Sequence, residues 1–344
     1  MFTRGPCWLA MLVALLISCS EEPKTAKEII SIPPEMSGST LALADTTLAG
    51  KYFTQAEKLN EQANYDSAIV CFEKAAVSYE AKGDWEKYVR CYSQIGGGFI
   101  EKVDYAQALK YLSRAVEAGA KHLGEKHPEM AGIYYHFGMA HYLQRAYDQA
   151  IKYFNQASSI QIAALGEQNP ELAKTYFRMG VTYADKGDNL QALVLHEKAL
   201  SIQLASLGEH HADVARSYSR IGVIYRRRGD YEKAHAFFDK AIAIGRAALG
   251  EQHPQVAAFY HSFGNVFFDQ GDYDQALRCW EKSLAIRLAR LGEQHLYVSY
   301  DYNNIGNAYQ MKGDFAQALS FHIWPSSERS TVSCIPTSRW LTTT

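Results

Sequence analysis

The sequence predicts an all-α solenoid of antiparallel helix pairs, and three ladders of residues predict it. Leu-Gly-Glu begins at 123, 165, 207, 249 and 291, a 42-residue interval each time. Glycine returns with the same period at Gly96, Gly138, Gly180, Gly222, Gly264 and Gly306. Alanine does so at Ala108, Ala150, Ala192, Ala234, Ala276 and Ala318. One period shared by three ladders marks a repeat array, in which each unit is a supersecondary element stacked on the next.

Residues 253–292 show how one unit is built. His253 reads as an N-cap and Pro254 as the first helical residue, where its missing N–H costs nothing. Val256, Tyr260, Phe263 and Phe267 then recur at helical spacing and predict a buried face. Gly264 lies on that face and predicts a close approach by the neighbouring helix. Gly271-Asp272 predicts the turn. The second helix presents Tyr273, Ala276, Leu277, Trp280, Leu284 and Ile286. Leu291-Gly292 closes it, with Gly292 expected as a left-handed residue just past the end. The histidines of the recurring punctuation, His127, His211, His253 and His295, come one per unit, with Asn169 in the same slot. A full unit apart, they are too distant to share a metal ion, and capping is their expected role. No metal site and no cofactor are expected.

The pattern Gly264, aromatic Phe267, Ala276 and large apolar Trp280 resembles the tetratricopeptide repeat. The 42-residue period with Leu-Gly-Glu-x-His-Pro is similar to the long-helix variety of kinesin light chains and many bacterial proteins. The resemblance covers 47–322 and implies a right-handed superhelix of six full helix pairs and a truncated seventh starting at His295. The first unit, 48–82, has shorter spacing and no Leu-Gly-Glu, yet keeps Tyr65-Asp66, Ala68 and Phe72.

The resemblance also implies a binding groove along the first helix of each pair. The residues it places there are Tyr135 and Met139; Lys174, Phe177, Arg178 and Val181; Arg216, Ser219, Arg220 and Val223; His261 and Asn265; and Asn303, Asn304 and Asn307. His136, Arg226 and Ser262 fall in the same register. Lys174/Arg178 and Arg216/Arg220 are i, i+4 pairs on adjacent units, and four stacked cations favour an acidic partner. Asn303, Asn304 and Asn307 resemble the asparagine ladder that grips peptide backbone in kinesin light chains. The carboxylate clamp of chaperone-binding relatives is not reproduced, since Tyr135 and Met139 stand where it has Lys and Asn.

The net charge of -2 over 344 residues gives no reason to expect nucleic-acid binding. Arg226-Arg227-Arg228 sits at a helix end, where cations offset the helix dipole. Six scattered cysteines make no disulfide framework, and Cys71 and Cys279 read as core residues. Catalytic patterns do not rise above the repeat: Gly96-Gly97-Gly98 lies inside a helix rather than at a strand-to-helix turn. The chain therefore reads as a non-catalytic scaffold that binds a protein or peptide.

The ends differ from the array. Arg4 and the apolar run from Cys7 to Ile17 form a segment too short to span a bilayer. It ends in Leu16-Ile17-Ser18-Cys19, which resembles a bacterial lipobox. That implies a signal peptide over 1–18, a lipid on Cys19 as the membrane attachment, and an outer-membrane address, periplasmic or surface-facing. Residues 19–46, rich in Ser, Thr, Pro and Glu, read as a flexible tether. At the other end, residues 323–344 lose all periodicity, beginning with Trp324-Pro325 where a helix interior belongs. Read from the third base of each codon, the same stretch can encode Leu-Ala-Ile, His-Pro-Asp-Val-Ala and Tyr-Asn-Asn at the repeat's own spacing. A frameshifted tail is the expectation, which makes this chain the front of a longer protein. Similar bacterial arrays precede a CHAT-type peptidase or a sensor histidine kinase, and that is the alternative function. The truncated seventh unit is expected to strip Tyr302, Ile305 and Tyr309 of a partner and to invite self-association at the uncapped end.

Overall fold

In the computed structural model, residues 38–322 are described, with side chains from residue 48 onward. The chain divides at Asp45/Thr46 into two units. Of the first, only residues 38–45 are described, as the opening of a helix; the second carries the array. Cys19, the signal segment and the 323–344 tail lie outside the described residues. The segment read as a tether is helical from Gly38 onward, where Leu-Ala-Leu-Ala supplies good helix formers.

Fourteen helices follow one another among the described residues. In pairs they are α1 (Gly38–Glu61) with α2 (Tyr65–Ala81), α3 (Trp85–Glu101) with α4 (Tyr105–His122), and α5 (Pro128–Leu143) with α6 (Tyr147–Leu165). Then come α7 (Pro170–Lys186) with α8 (Asn189–Leu207), α9 (Ala212–Arg227) with α10 (Tyr231–Leu249), and α11 (Pro254–Asp269) with α12 (Tyr273–Leu291). A final α13 (Leu296–Met311) meets the eight-residue α14 (Phe315–His322). From α2 on each helix packs on its sequence neighbours, and Phe53 of α1 meets Phe72 of α2 edge-on at 5.3 Å, giving an all-α solenoid of six full pairs and a short seventh.

Two kinds of cap punctuate the array. At each start of a first helix from α5 on, the residue after Leu-Gly-Glu-x caps the helix. His127, Asn169, His211, His253 and His295 each accept a hydrogen bond from the backbone N–H two residues ahead. The histidines are thus caps by geometry. At the turn inside a pair, Asn64, Asp104, Asp188, Asp230, Asp272 and Asp314 accept from the N–H three residues ahead, as Asp84 does at the start of α3, while Ala146 offers α6 no side-chain cap. Gly292 has φ 78° and ψ 164°, so it ends α12 in an extended conformation open only to glycine, not in the expected left-handed helical one. Gly187, by contrast, is left-handed at φ 102°, ψ -3°.

The glycine ladder marks where the two helices of a pair touch. A Cβ on Gly138 would meet the Phe154 ring at 2.5 Å, and one on Gly264 would meet the Trp280 indole at 2.6 Å. The partner side chain sits 16 residues after the glycine: Leu112, Phe154, His196, Phe238 and Trp280. These side chains are fully or almost fully buried and continue the core from one pair to the next. Cys71 and Cys279 are buried as expected, and burial pushes the Cys279 thiol up to about 11.

The C-terminal end departs from expectation. Ile305 is fully buried, and Phe321 of α14 covers both Tyr302 and Tyr309, with ring centroids 6.1 and 5.6 Å away. Two turns of α14 suffice to bring that aromatic back onto α13. What stays bare instead is Met311, Phe315 and Leu319, each more than half exposed.

Candidate groove on the first helices

The first helices stand side by side, and their side chains bridge from unit to unit. The Ser93 hydroxyl lies 3.0 Å from His136 Nδ1, the Tyr142 hydroxyl donates to Asp185 at 2.8 Å, and Arg226 pairs with Asp269 at 3.0 Å. Asn304 Nδ2 donates to Asn265 Oδ1 at 3.4 Å. Two columns of residues run along this row at the 42-residue step. One is Gln94, His136, Arg178, Arg220, Ser262 and Asn304; the other is Gly97, Met139, Val181, Val223, Asn265 and Asn307. Members of both columns from α3, α5 and α7 line one open pocket of about 350 Å³, together with Tyr135.

The structure sorts the expected site residues into two groups. Tyr135, Met139 and Arg178 come together in that pocket. Phe177, Val181 and Ser219 are buried, so they support the wall and have little surface to offer a ligand. Val223 is half-buried against the core of the α9–α12 units. Lys174 and Arg216 are neutralised locally: Lys174 meets Glu171 at 2.7 Å, and Arg216 binds Asp213 while stacking over the Phe177 ring at 5.1 Å. Both acids sit three residues back on the same helix, a favourable surface geometry. The four-cation patch is therefore two free cations. Arg178 and Arg220 occupy equivalent slots of α7 and α9, and neither guanidinium has an ion-pair or hydrogen-bond partner among the described residues.

Arg220 is open to solvent on one side and packed round on the others. That burial lowers its pKa, with Arg178 and Arg216 adding repulsion, while Tyr142 and Asp185 oppose the shift. A guanidinium stays protonated at neutral pH all the same, so Arg220 is a cation with one face free to meet an anion. Burial pushes the Tyr142 phenol up to about 12, and its bond to Asp185 adds to the shift. Behind this cluster lies His196, in the slot that Phe154 and Phe238 fill elsewhere. Its Nδ1 is buried without a partner, and burial followed by the Arg220 charge drops its pKa to about 3. Neither His196 nor the Tyr142–Asp185 bond was read as part of the site. A break in the aromatic ladder at His196 was the available signal.

Further along, His261 does not face a ligand freely. Its Nδ1 lies 2.6 Å from Asp301, which also holds Ser283 Oγ at 2.9 Å and Arg287 at 2.9 Å. Serine, histidine and aspartate meet here, but Asp301 and Ser283 are fully buried and the serine donates to the acid, not to the histidine. The group ties α11, α12 and α13 together and presents no exposed nucleophile. Asn265 Oδ1 also accepts from Trp280 Nε1 at 3.2 Å. Asn307 repeats the Asn265 slot one unit on, and Asn303 is exposed. The asparagine feature thus spans two units rather than the last one alone. Arg227 donates to the Ala184 carbonyl at 2.9 Å, so the arginine run is engaged with its own array.

The family model for the tetratricopeptide repeat matches this chain at residues 94–163, 129–204, 171–247, 213–286 and 255–322. No curated protein matches the sequence. Among solved structures the chain is similar to BtubC (BKLC) from P. vanneervenii, at 20% identity and TM-score 0.56 over 71% of this chain and 92% of that one. It is similar to the apo form of RapI at 14% identity and TM-score 0.62, over 80% and 94%. A signal-transduction ATPase with a tetratricopeptide repeat sensor, from Pyrococcus horikoshii, aligns at 15% identity and TM-score 0.65, over 82% of this chain and 42% of that one. At these identities the likeness is one of fold.

Proposed function

Since this chain belongs to the tetratricopeptide repeat family, we propose that it is a scaffold that holds an acidic protein segment along the row of first helices and performs no chemistry of its own. The observation that carries this is the pair Arg178 and Arg220, equivalent residues of adjacent units, neither of which has an ion-pair or hydrogen-bond partner among the described residues. An acidic side chain laid across α7 and α9 would relieve two cations at once through charge-assisted bonds. Asn265, Asn303, Asn304 and Asn307 would then meet the backbone of the same segment with amides that both donate and accept. From the sequence we further propose that a lipid on Cys19 holds the scaffold to the outer membrane; loss of membrane fractionation in a Cys19→Ala variant is the expected outcome.

Selection from a random dodecapeptide library tests the groove. The wild-type chain should enrich acidic peptides, with affinity falling as salt rises. Arg178→Glu with Arg220→Glu should abolish that enrichment. A selection indifferent to peptide charge, or unaffected by the double substitution, would sink the proposal.

A further inference from the structure

The pocket at the N-terminal end of the row has features that a long peptide does not require. Column by column, every unit from the third onward carries a side chain at the slot of Met139, Val181, Val223, Asn265 and Asn307. The second unit has Gly97 there. Its neighbour Gly98 lies against Ile69, where an added Cβ would come within 3.2 Å, and a Cβ on Gly97 would come within 3.1 Å of His136 Nε2. Gly97 and Gly98 both line an open pocket of about 350 Å³, within the range of small-molecule sites.

The pocket is electrically bipolar. At one end stand Glu101, exposed and without a partner among the described residues, and Asn60, whose Oδ1 is buried with no hydrogen bond. Tyr65 lines the same end. At the other stands the unpaired guanidinium of Arg178. Between them lie Tyr135, Met139 and the neutral ring of His136, which burial holds at a pKa of about 4. An orphaned acceptor beside a free carboxylate asks for a cationic N–H donor, and an aromatic ring beside them suits a guanidinium or ammonium. A free guanidinium asks for a carboxylate. One end is built by α1, α2 and α3 and the other by α7, with α5 between them, so the charges of the ligand must be well separated.

We infer that this pocket binds a free basic amino acid, with its side-chain cation against Asn60 and Glu101 and its α-carboxylate against Arg178. A basic side chain separates those charges by about the reach of two extended residues, roughly 7 Å. The inference goes beyond peptide capture: it gives the array a small-molecule input at its first four units.

Titration calorimetry on the full chain tests it with four probes: L-arginine, L-lysine, L-citrulline and agmatine. L-arginine or L-lysine should bind saturably. Citrulline, which lacks the side-chain charge, and agmatine, which lacks the carboxylate, should each bind at least tenfold more weakly. Glu101→Gln and Arg178→Gln should each weaken arginine at least tenfold. Gly97→Val, which restores the side chain of the Val181 and Val223 slots, should abolish binding while circular dichroism shows the helices intact. No binding by either basic amino acid would overturn the inference. So would equal binding of citrulline or agmatine, or of arginine to the Gly97→Val chain. If arginine fails while acidic peptides still depend on Arg220, the peptide reading stands and this one falls.

Discussion

The Arg287 guanidinium lies 2.9 Å from the Asp301 carboxylate, and both side chains are almost completely buried between α12 and α13. Two units earlier the same two slots hold Gln203 and Ser217, joined by a 2.6 Å hydrogen bond. One unit earlier they hold Gly245 and Phe259, where the ring fills the space a Cβ would need. Each junction is thus packed in its own way. Removing one member of a buried pair leaves an uncompensated charge at a cost of about 3–5 kcal/mol. Asp301→Ala should therefore destabilise the C-terminal units by that order in urea unfolding, while Arg287→Met with Asp301→Leu should be far milder. Equal losses in the single and double variants would contradict this.

The buried histidines give the array an acid sensitivity with a definite sign. His136 and His196 have folded pKa values depressed to about 4 and about 3, chiefly by burial. The unfolded chain binds a proton at each near 6.5, so stability is complete above that pH and falls as pH drops toward 4. The slope is about 1.4 kcal/mol per pH unit for each histidine. His196→Phe, which adopts the residue of the Phe154 and Phe238 slots, should remove the share of His196 from that slope between pH 6 and 4.5. An unchanged pH dependence in that variant would refute the assignment.

Val103 stands at φ 63°, in the left-handed region, at the slot where later units have Gly187, Gly229, Gly271 and Gly313. A β-branched residue there is strained by about 1–2 kcal/mol. Val103→Gly should raise thermal stability by several degrees, since the side chain is largely exposed and gives up little packing. A lower melting temperature would show that the strain is illusory.

At the far end, α14 covers Tyr302 and Tyr309 with Phe321 but leaves Met311, Phe315 and Leu319 bare. With no further unit packed on α14 among the described residues, residues 295–320 should exchange amide hydrogens faster than 211–290. Equal protection would contradict it.

Much of this was legible in the sequence because repetition averages out local ambiguity. The glycine, alanine and Leu-Gly-Glu ladders specified the helix pairs, and the histidine caps followed from their one-per-unit spacing. The neutralisation of Lys174 and Arg216 was also written there, since Glu171 and Asp213 lie three residues back. Asp301 was not readable, because its partners come from two other helices and its neighbours along α13 give no hint of burial. Nor was the shelter of Tyr302, which depends on one aromatic in the last turn before the pattern fails. The pocket of Gly97 required comparing columns across units, where one missing side chain matters more than any residue present.

Partners that lie along the first helices would shield those helices and leave the second ones open. Hydrogen–deuterium exchange with and without a selected acidic peptide tests it directly. Added protection is expected on α7 and α9 around Arg178 and Arg220, extending to α11 and α13, with α8, α10 and α12 unchanged. Protection confined to the second helices, or none on α7 and α9, would contradict it.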